Sequence, residues 1–249
     1  MSDDRLMVSV SGVRGTVGGT LTADVARDFG LAFATMLGAG TMVTLGSDTR
    51  PSGPMIRQAI TEGLLAGGVN VVDLGVATTP GCALMTVQLR ADGGVIITAS
   101  HNPSEYNGIK FLQPTGPGLL ATQAAKLKAI WESGEFITAE TPGAGCHDVS
   151  TDERHLAAVC AVVDVAAIAA RQFKVVVDSI NGAGCRVTPK LMAALGVELV
   201  HLNATPDGDF AHKPEPIAEN LTSLCDAVRE HGADVGFAQD PDADRLVVV

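Results

Sequence analysis

Residues 94–103, Gly94-Val95-Ile96-Ile97-Thr98-Ala99-Ser100-His101-Asn102-Pro103, join an apolar run to a polar loop. A short apolar run that ends in turn-forming residues predicts a buried strand. In α/β folds ligands bind at the carboxyl ends of strands, so this loop places Ser100 and His101 where chemistry can occur. A serine hydroxyl becomes a good nucleophile when a neighbour takes its proton or a cation stabilises the alkoxide. The same residue types also form ordinary turns, and the six residues 98–103 alone leave that alternative open.

Helical periods and apolar runs alternate on both sides of this loop. Val25, Phe29, Phe33 and Leu37 repeat with the spacing of a helix face, and Thr22 precedes them as an N-cap. Across the first half of the chain, the same reasoning predicts strands at 42–46, 69–74, 95–98 and 109–112, and helices at 55–66, 80–90 and 120–133. This rhythm is typical of a layered α/β fold with a largely parallel sheet.

The alternation of strands and helices is interrupted at residues 136–150, which show no clear period and contain Pro142, Gly143 and Gly145. We interpret this stretch as a linker. Beyond it, strands are predicted at 174–178, 197–202, 234–238 and 246–249, with helices beginning near 152, 184 and 219. The fold class predicted is therefore α/β, with two consecutive three-layer α/β/α domains of mixed, largely parallel sheets at residues 1–148 and 149–249.

Composition narrows the function classes. The 249 residues carry a formal net charge of −11, and 46% of them are hydrophobic, which argues against disorder and against nucleic acid as a partner. The longest apolar stretch, 156–170, is too short to span a membrane and contains Asp164. Five scattered cysteines without a paired motif indicate free thiols in a reducing compartment, so we expect a cytoplasmic protein.

Lys110 closes the polar loop that begins at Thr98. It lies in Tyr106-Asn107-Gly108-Ile109-Lys110, where the chain enters the next predicted strand. A lysine at the mouth of a site can act as a base when burial or other cations lower its pKa. Most single lysines are solvated surface charges, so the closeness of Lys110 to Ser100 is what favours a functional interpretation.

The segment Asp240-Pro241-Asp242-Ala243-Asp244-Arg245 directly follows the predicted strand 234–238. Carboxylates at alternate positions can converge on one hard cation, and their mutual repulsion is costly unless a positive charge lies between them. The pattern indicates a Mg²⁺ site that leaves room for a phosphate oxygen, with a solvated acidic turn as the alternative. Arg245 has the planar guanidinium that suits phosphate.

Two further arginines lie in glycine-containing turns. Arg14 stands between Gly12 and Gly15, and Arg50 lies just ahead of a predicted helix. Glycines permit an anion to approach the backbone, and helix N-termini attract anions. For both arginines a structural ion pair is as good an interpretation as contact with a ligand. The stretch 178–184 is interpreted as a strand-to-helix turn with a helix cap.

Taken together, the sequence resembles the α-D-phosphohexomutases, the family of phosphoglucomutase, phosphomannomutase and phosphoglucosamine mutase. The stretches that carry the resemblance occur in family order across nearly the whole chain, at 12–15, 48–50, 98–103, 107–110, 178–184, 214–216, 219–221 and 240–245. The opening stretch 9–15 and the Asp-Pro-Asp-Ala-Asp-Arg loop look most like the phosphoglucosamine mutases.

The resemblance implies an Mg²⁺-dependent isomerase that moves phosphate between C6 and C1 of a hexose phosphate, with glucosamine 6-phosphate favoured. Ser100 would be a phosphoserine, and Asp240, Asp242 and Asp244 would hold Mg²⁺ together with a phosphate oxygen on that serine. Ser100 would phosphorylate the sugar to a bound hexose 1,6-bisphosphate, and the other phosphate would return to it. These steps mainly require in-line positioning and neutralised oxygen charge.

The resemblance also implies roles for four other residues. Lys110 would serve as general base or acid for the attacking hydroxyl, and His101 would support the serine loop. Arg14 and Arg245 would stabilise phosphate charge. The sequence leaves the oligomeric state open.

Two departures from the family bear on these expectations. Many members have glycine where this chain has Pro241 and Ala243, so we expect the metal loop to avoid positive φ angles there. The family has four domains, of which the chain covers only domain I and a domain II truncated at its C-terminal end. Without domains III and IV the site lacks most substrate contacts, so we expect little mutase turnover from these 249 residues.

Two other functions are compatible with parts of the sequence. A haloacid dehalogenase-type aspartyl phosphotransferase would use Asp240 as nucleophile and Asp242 as acid, but it leaves Ser100 without a task. A non-catalytic module that binds a metal or a sugar phosphate is the second alternative. The position of a covalent phosphate, on Ser100 or on Asp240, distinguishes these possibilities.

Overall fold

A computed structural model describes residues 5–249; the first four residues of the expected first domain lie outside it. The larger of its two sheets has seven strands in the order β1-β2-β6-β5-β3-β4-β7. The strands are β1 (Met7–Ser9), β2 (Gly12–Thr16), β3 (Met42–Ser47), β4 (Asn70–Val76), β5 (Gly93–Ile97), β6 (Tyr106–Leu112) and β7 (Gly145–His147). Pairings between β3, β4, β5 and β7 are parallel, whereas β6 runs antiparallel to β5 and β2, and β1 antiparallel to β2.

Helices cover both faces of this sheet. The helices are α1 (Ala23–Leu37), α2 (Gly53–Ala66), α3 (Thr79–Gln88) and α4 (Ala121–Ser133). The Thr22 side chain caps α1, as predicted, by accepting a hydrogen bond from the Val25 N–H. Phe29 and Phe33 of α1 pack into the larger core with α2 and α4, while Met85 of α3 belongs to a separate core on the opposite face. Alternate strand residues point to opposite faces, so each strand contributes to both cores.

The smaller sheet has four strands in the order β11-β10-β8-β9, and only β11 runs antiparallel. Its strands are β8 (Lys174–Asp178), β9 (Glu198–Leu202), β10 (Val235–Gln239) and β11 (Leu246–Val248), and the accompanying helices are α5 (Thr151–Cys160), α6 (Val165–Ala170), α7 (Gly184–Ala194) and α8 (Thr222–His231). Leu224 of α8 packs on one face. Helix α7 contacts β9 and α5, and α5 also contacts α3 of the first sheet. The predicted α/β class with mixed sheets is confirmed.

Three short elements differ from the sequence prediction. Residues 136–150 are not only a linker, because Gly145–His147 form β7 and pair with the edge of β4. The hairpin of β1 and β2 was not predicted, and a 3₁₀ turn at Ala218–Asn220 precedes α8, which begins at Thr222 rather than near 219. β1 and β7 have three residues each, too few for a periodic pattern, and β2 contains two glycines, which indicate a turn in the sequence.

The state of the cysteines agrees with the sequence prediction. All five cysteines are free thiols. Within residues 5–249, no helix combines the length and apolar character that crossing a bilayer would demand.

Candidate functional site

The loop after β5 and the loop after β10 meet at the junction of the two sheets. Ser100 follows β5, and its Oγ donates a hydrogen bond of 2.6 Å to Oδ2 of Asp240, which follows β10. The same hydroxyl lies 3.5 Å from Oδ1 of Asp244. Ser100 and Asp240 are both buried. The two motifs that the sequence placed at strand ends therefore form one site.

Ser100 itself has a left-handed backbone, with φ of 49°. A residue with a side chain adopts this conformation only when its surroundings enforce it, at a cost of about 1–2 kcal/mol. The Ser100 N–H donates to Oγ1 of Thr98 at 2.8 Å, and that hydroxyl donates to Oδ2 of Asp48 at 2.7 Å. These contacts hold the strained turn that points the serine hydroxyl towards the acidic cluster.

Arg50 is the largest fully buried side chain among the described residues, and it organises the serine loop from inside. Its guanidinium pairs with Asp48 at 3.1 Å. It also donates to four backbone carbonyls at 2.7 to 2.9 Å, those of Ser100, Asn102, Pro103 and Tyr106. Of the two interpretations that the sequence left open for Arg50, the structure shows the ion pair and not an exposed anion site.

The three aspartates form a compact cluster in which each offers one oxygen within 4.8 Å of the others. Asp240 and Asp242 are fully buried. Burial, and next the charge of Asp242, raises the pKa of Asp240 to about 7. Oδ1 of Asp242 is buried without a hydrogen-bond partner among the described residues. An unsatisfied buried carboxylate oxygen beside two further carboxylates is the environment of a hard cation, so this ligand set fits Mg²⁺.

Lys110, on β6, reaches the same cluster. Its Nζ donates to Oδ2 of Asp242 at 2.8 Å and to Oδ2 of Asp244 at 2.9 Å. Burial opposes the charge on Lys110, but Asp242 and Asp244 outweigh it and raise the pKa of the amino group above its usual value. The sequence suggested that a neutral lysine could act as a base; in this arrangement the amino group is charged.

The three remaining predicted residues surround the serine loop. His101 lies with Nδ1 3.4 Å from Ser100 Oγ, and burial together with Arg245 lowers its pKa. Arg14 lies on β2 and donates to Oδ1 of Asn102 at 3.0 Å. The Arg245 side chain is exposed, and within residues 5–249 its guanidinium has no hydrogen-bond or ion-pair partner. Arg14 thus braces the loop, and Arg245 remains available to an anion.

Gly12, two residues before Arg14, is required by the close pairing of β2 with β6. A Cβ at Gly12 would lie 2.3 Å from the Ile109 carbonyl oxygen of β6. The close strand pairing therefore requires glycine there, and the backbone of β2 does not form the anion-binding turn that the sequence suggested.

The metal loop corrects one expectation about backbone conformation. Ala243 has φ of 53°, so the lack of a glycine does not keep this position out of the left-handed region. The Ala243 N–H donates to the Asp240 carbonyl at 2.9 Å, which closes a tight turn between two of the aspartates. The turn that gathers the carboxylates outweighs the steric cost of an alanine at positive φ.

Comparison with known proteins agrees with this geometry. The family descriptions "Phosphoglucomutase/phosphomannomutase, alpha/beta/alpha domain I" and "alpha/beta/alpha domain II" match residues 5–138 and 153–249. The chain belongs to the phosphoglucomutase/phosphomannomutase family. A "Phosphoglucomutase/phosphomannomutase" of Thermococcus kodakarensis is 43% identical over 96% of this chain, and a "Probable phosphoglucosamine mutase" of Methanobrevibacter smithii is 37% identical over 98%.

The comparison also shows that the chain matches only part of the length of its relatives. A crystal structure of a phosphoglucomutase/phosphomannomutase family protein from Burkholderia thailandensis superposes with a TM-score of 0.85 and 34% identity, covering 98% of this chain and 55% of that one. The two relatives above are each covered over 54% of their length. The chain thus spans about half the length of the phosphohexomutases that it matches.

The sequence did not predict a strap that holds the serine loop from outside. The strap, residues 204–217, runs from β9 across to the first sheet. The Phe210 ring lies 5.0 Å from the Arg50 guanidinium carbon, and His212 Nε2 lies 3.1 Å from Oδ2 of Asp178. Oγ1 of Thr49 donates to the carbonyl of Asn181 at 2.8 Å beside it. The Pro, Asp and Gly residues of the strap indicate only a loop, because the sequence has no periodic signal that shows which surface a loop covers.

Replacement of Arg50 by alanine should destabilise the fold strongly. Arg50→Ala removes the ionic partner of the buried Asp48 and a donor to four backbone carbonyl oxygens, so we expect the free energy of unfolding to fall by about 3–5 kcal/mol. Urea denaturation followed by circular dichroism measures this. Arg229→Ala removes an exposed pair with Asp226 and should cost below about 1 kcal/mol. Equal stability of the two variants would contradict the organising role of Arg50.

The pair of His212 and Asp178 predicts a pH-dependent contribution to stability. A hydrogen bond with Asp178 raises the pKa of His212. Burial opposes ionisation of Asp178, but hydrogen bonds from His212, Asn203 and the Ile180 N–H outweigh it and lower its pKa. The stabilisation from His212 is fully present below the pKa that this histidine has in the unfolded chain. It is lost as the pH rises through the higher pKa of His212 in the folded protein. The aspartate contribution is lost only as pH falls through its own lowered pKa.

The stability difference between wild type and His212→Gln should therefore be larger at pH 5.5 than at pH 8.5, by about 1 kcal/mol. Urea denaturation at both pH values measures it. His231→Gln, at the exposed end of α8, is the matched control and should show a smaller change. If the difference for His212→Gln were the same at both pH values, the charged pair would not hold the strap.

Proposed function

We propose that this chain carries the phosphoryl-transfer centre of a phosphohexomutase, which moves phosphate between C6 and C1 of a hexose phosphate. The observation that carries the proposal is the 2.6 Å contact between Ser100 Oγ and Asp240 Oδ2. It brings a serine hydroxyl to a buried carboxylate cluster that fits a divalent cation. In this proposal Ser100 is the residue that carries phosphate, and a hexose 1,6-bisphosphate is the bound intermediate and activator.

The two sheets correspond to two proposed domains. Residues 1–148 form the domain with the serine loop, and residues 149–249 form the domain with the metal loop. The matched family segments, 5–138 and 153–249, support this division. The site lies between them, so neither domain alone contains it.

The proposed metal ligands are Asp240, Asp242, Asp244 and an oxygen on Ser100. The unpartnered Oδ1 of Asp242 supports this set. When bound, Mg²⁺ would neutralise negative charge on the phosphoryl oxygens. Asp240 accepts the hydrogen bond of the Ser100 hydroxyl and so orients that oxygen.

In this proposal the other site residues balance charge, exchange protons or hold the serine loop in place. Lys110 exchanges a proton with the sugar hydroxyl and balances the charge of Asp242 and Asp244. His101 supports the Ser100 hydroxyl from the side. Arg14 stabilises phosphate charge while it braces the serine loop, and the exposed Arg245 meets phosphate directly.

The proposed substrate is glucosamine 6-phosphate, which would be converted to glucosamine 1-phosphate in the cytoplasm. The sequence of the opening stretch 9–15 and of the metal loop supports this choice, and so do relatives named "Probable phosphoglucosamine mutase", such as one from Thermococcus kodakarensis that is 41% identical. The relative at 43% identity is named for glucose and mannose phosphates instead. A hexose phosphate is the substrate class common to all these names.

The aspartyl phosphotransferase alternative finds no support. The chain belongs to a family with a different architecture. Both oxygens of Asp240 also accept hydrogen bonds, Oδ2 from Ser100 and Oδ1 from the Arg245 N–H. Asp240 is therefore positioned as a partner of the serine and not as a free nucleophile.

Incubation with Mg²⁺ and an excess of a hexose 1,6-bisphosphate should transfer one phosphoryl group to Ser100. Because the chain spans about half the length of its relatives, a single stoichiometric phosphoryl transfer is a better measure than steady-state turnover. Intact-mass spectrometry should show one added phosphate that resists acid, and peptide mapping should place it on Ser100.

Two variants make this test specific. Ser100→Ala should remain unphosphorylated, whereas Ser104→Ala, which changes an exposed serine of the same loop, should be phosphorylated like the wild type. An acid-labile phosphate on Asp240 would instead support the aspartyl phosphotransferase. No transfer to the wild type would indicate a non-catalytic binding module.

A further inference from the structure

Thr79, the first residue of helix α3, makes two hydrogen bonds to the metal loop that follows β10. The Thr79 N–H donates to the carbonyl oxygen of Asp242 at 2.9 Å. The Thr79 hydroxyl donates to Oδ2 of the same Asp242 at 2.6 Å. One residue therefore holds both the backbone and the carboxylate of the central aspartate.

The two oxygens of the Asp242 carboxylate are consequently unequal. Oδ2 accepts hydrogen bonds from Thr79 Oγ1 and from Lys110 Nζ at 2.6 and 2.8 Å. Oδ1 is buried and has no partner among residues 5–249. A carboxylate that pivots freely can present either oxygen, but here two donors bind Oδ2 and leave Oδ1 as the oxygen without a hydrogen bond.

The position of Thr79 in α3 strengthens this hold. Thr79 is the first residue of α3, Thr78 caps the helix, and Pro80 follows in the first turn. Backbone N–H groups in the first helical turn lack partners within the helix, and the positive end of the helix dipole favours a nearby carboxylate. Because the hydroxyl projects from a capped helix end, its position is more rigid than that of a loop side chain.

We propose that Thr79 is a positioning residue that fixes Asp242 across the junction of the two sheets, so that Oδ1 alone is presented to a divalent cation. This inference rests on the proposed metal site and adds a contribution from the first sheet to a ligand of the second. Lys110 cannot replace this contact, since its amino group is shared with Asp244. Residues that orient metal ligands in this way typically change metal affinity by about 10–100-fold when they are replaced.

Thr79→Val removes the hydroxyl, keeps the side-chain shape and leaves the backbone N–H in place. We expect this variant to bind Mn²⁺, used as a spectroscopic substitute for Mg²⁺, about 10-fold more weakly than the wild type. The loss of free Mn²⁺ signal in electron paramagnetic resonance titrations measures the affinity without any catalytic assay. Thr79→Ser retains the hydroxyl and should restore wild-type affinity.

Thr44→Val is the matched control. It removes a buried hydroxyl of β3 that pairs with Thr86 Oγ1 of α3 at 2.6 Å, and among the described residues neither threonine hydroxyl has a hydrogen bond to the three aspartates. We expect it to lower the melting temperature but to leave Mn²⁺ affinity unchanged. If Thr79→Val does not fold, Thr79→Ala removes the same hydroxyl with less steric demand, and the same loss of affinity is expected.

The outcomes separate this inference from the proposed function. If the wild type binds Mn²⁺ and Thr79→Val binds it equally well, the role of Thr79 is wrong while the metal site stands. If Thr79→Ser is as weak as Thr79→Val, the hydroxyl is not the cause and the inference is also wrong. If the wild type binds no Mn²⁺, the metal site itself is wrong, and the inference fails with it.

Discussion

Ser100 and Asp240 are 140 residues apart in the chain, yet one hydrogen bond of 2.6 Å joins them. The constraint behind this contact is electrostatic. Three carboxylates gathered within 4.8 Å repel each other, and two of them are buried. The fold opposes this repulsion with donors from the first sheet, namely the Lys110 amino group, the Thr79 hydroxyl and the Ser100 hydroxyl. The acidic loop of the second sheet therefore depends on the first sheet to form a site.

The serine loop depends on a second buried charge. Arg50 donates to four backbone carbonyls, three of them in the irregular loop that holds Ser100 at positive φ and the fourth, that of Tyr106, at the start of β6. Phe210 of the strap lies against the guanidinium of Arg50, and the strap is attached to β8 through His212 and Asp178. The second sheet thus contributes to the nucleophile loop, just as the first sheet contributes to the metal loop.

The sequence predicted the features that have strong local signals. Apolar runs and a capped helical period gave the main strands and helices, and the rule that ligands bind at strand ends pointed to Ser100 and to the aspartates. The resemblance implied that these two motifs share a site, whereas periodicity could not show which loops meet. Strand β7 was hidden because three residues carry no period.

The roles that the sequence did not predict depend on backbone contacts or on contacts across the junction of the two sheets. Arg50 binds mostly carbonyl oxygens, and no pattern of side chains reports such contacts. The sequence around Thr79 indicates only the start of a helix. Its hydrogen-bond partner Asp242 lies 163 positions away, so no local pattern shows the contact. Ala243 was expected to avoid positive φ on local grounds, but the requirement to gather the carboxylates overrides that preference.

A crystal structure of the chain with Mn²⁺, phased by anomalous scattering, tests the central claim most directly. We expect one anomalous peak that is bonded to the carboxylates of Asp240, Asp242 and Asp244, with the Ser100 hydroxyl oxygen beside it. A peak at another position, no peak at all, or a Ser100 oxygen remote from the aspartates would contradict a shared site for the nucleophile and the cation.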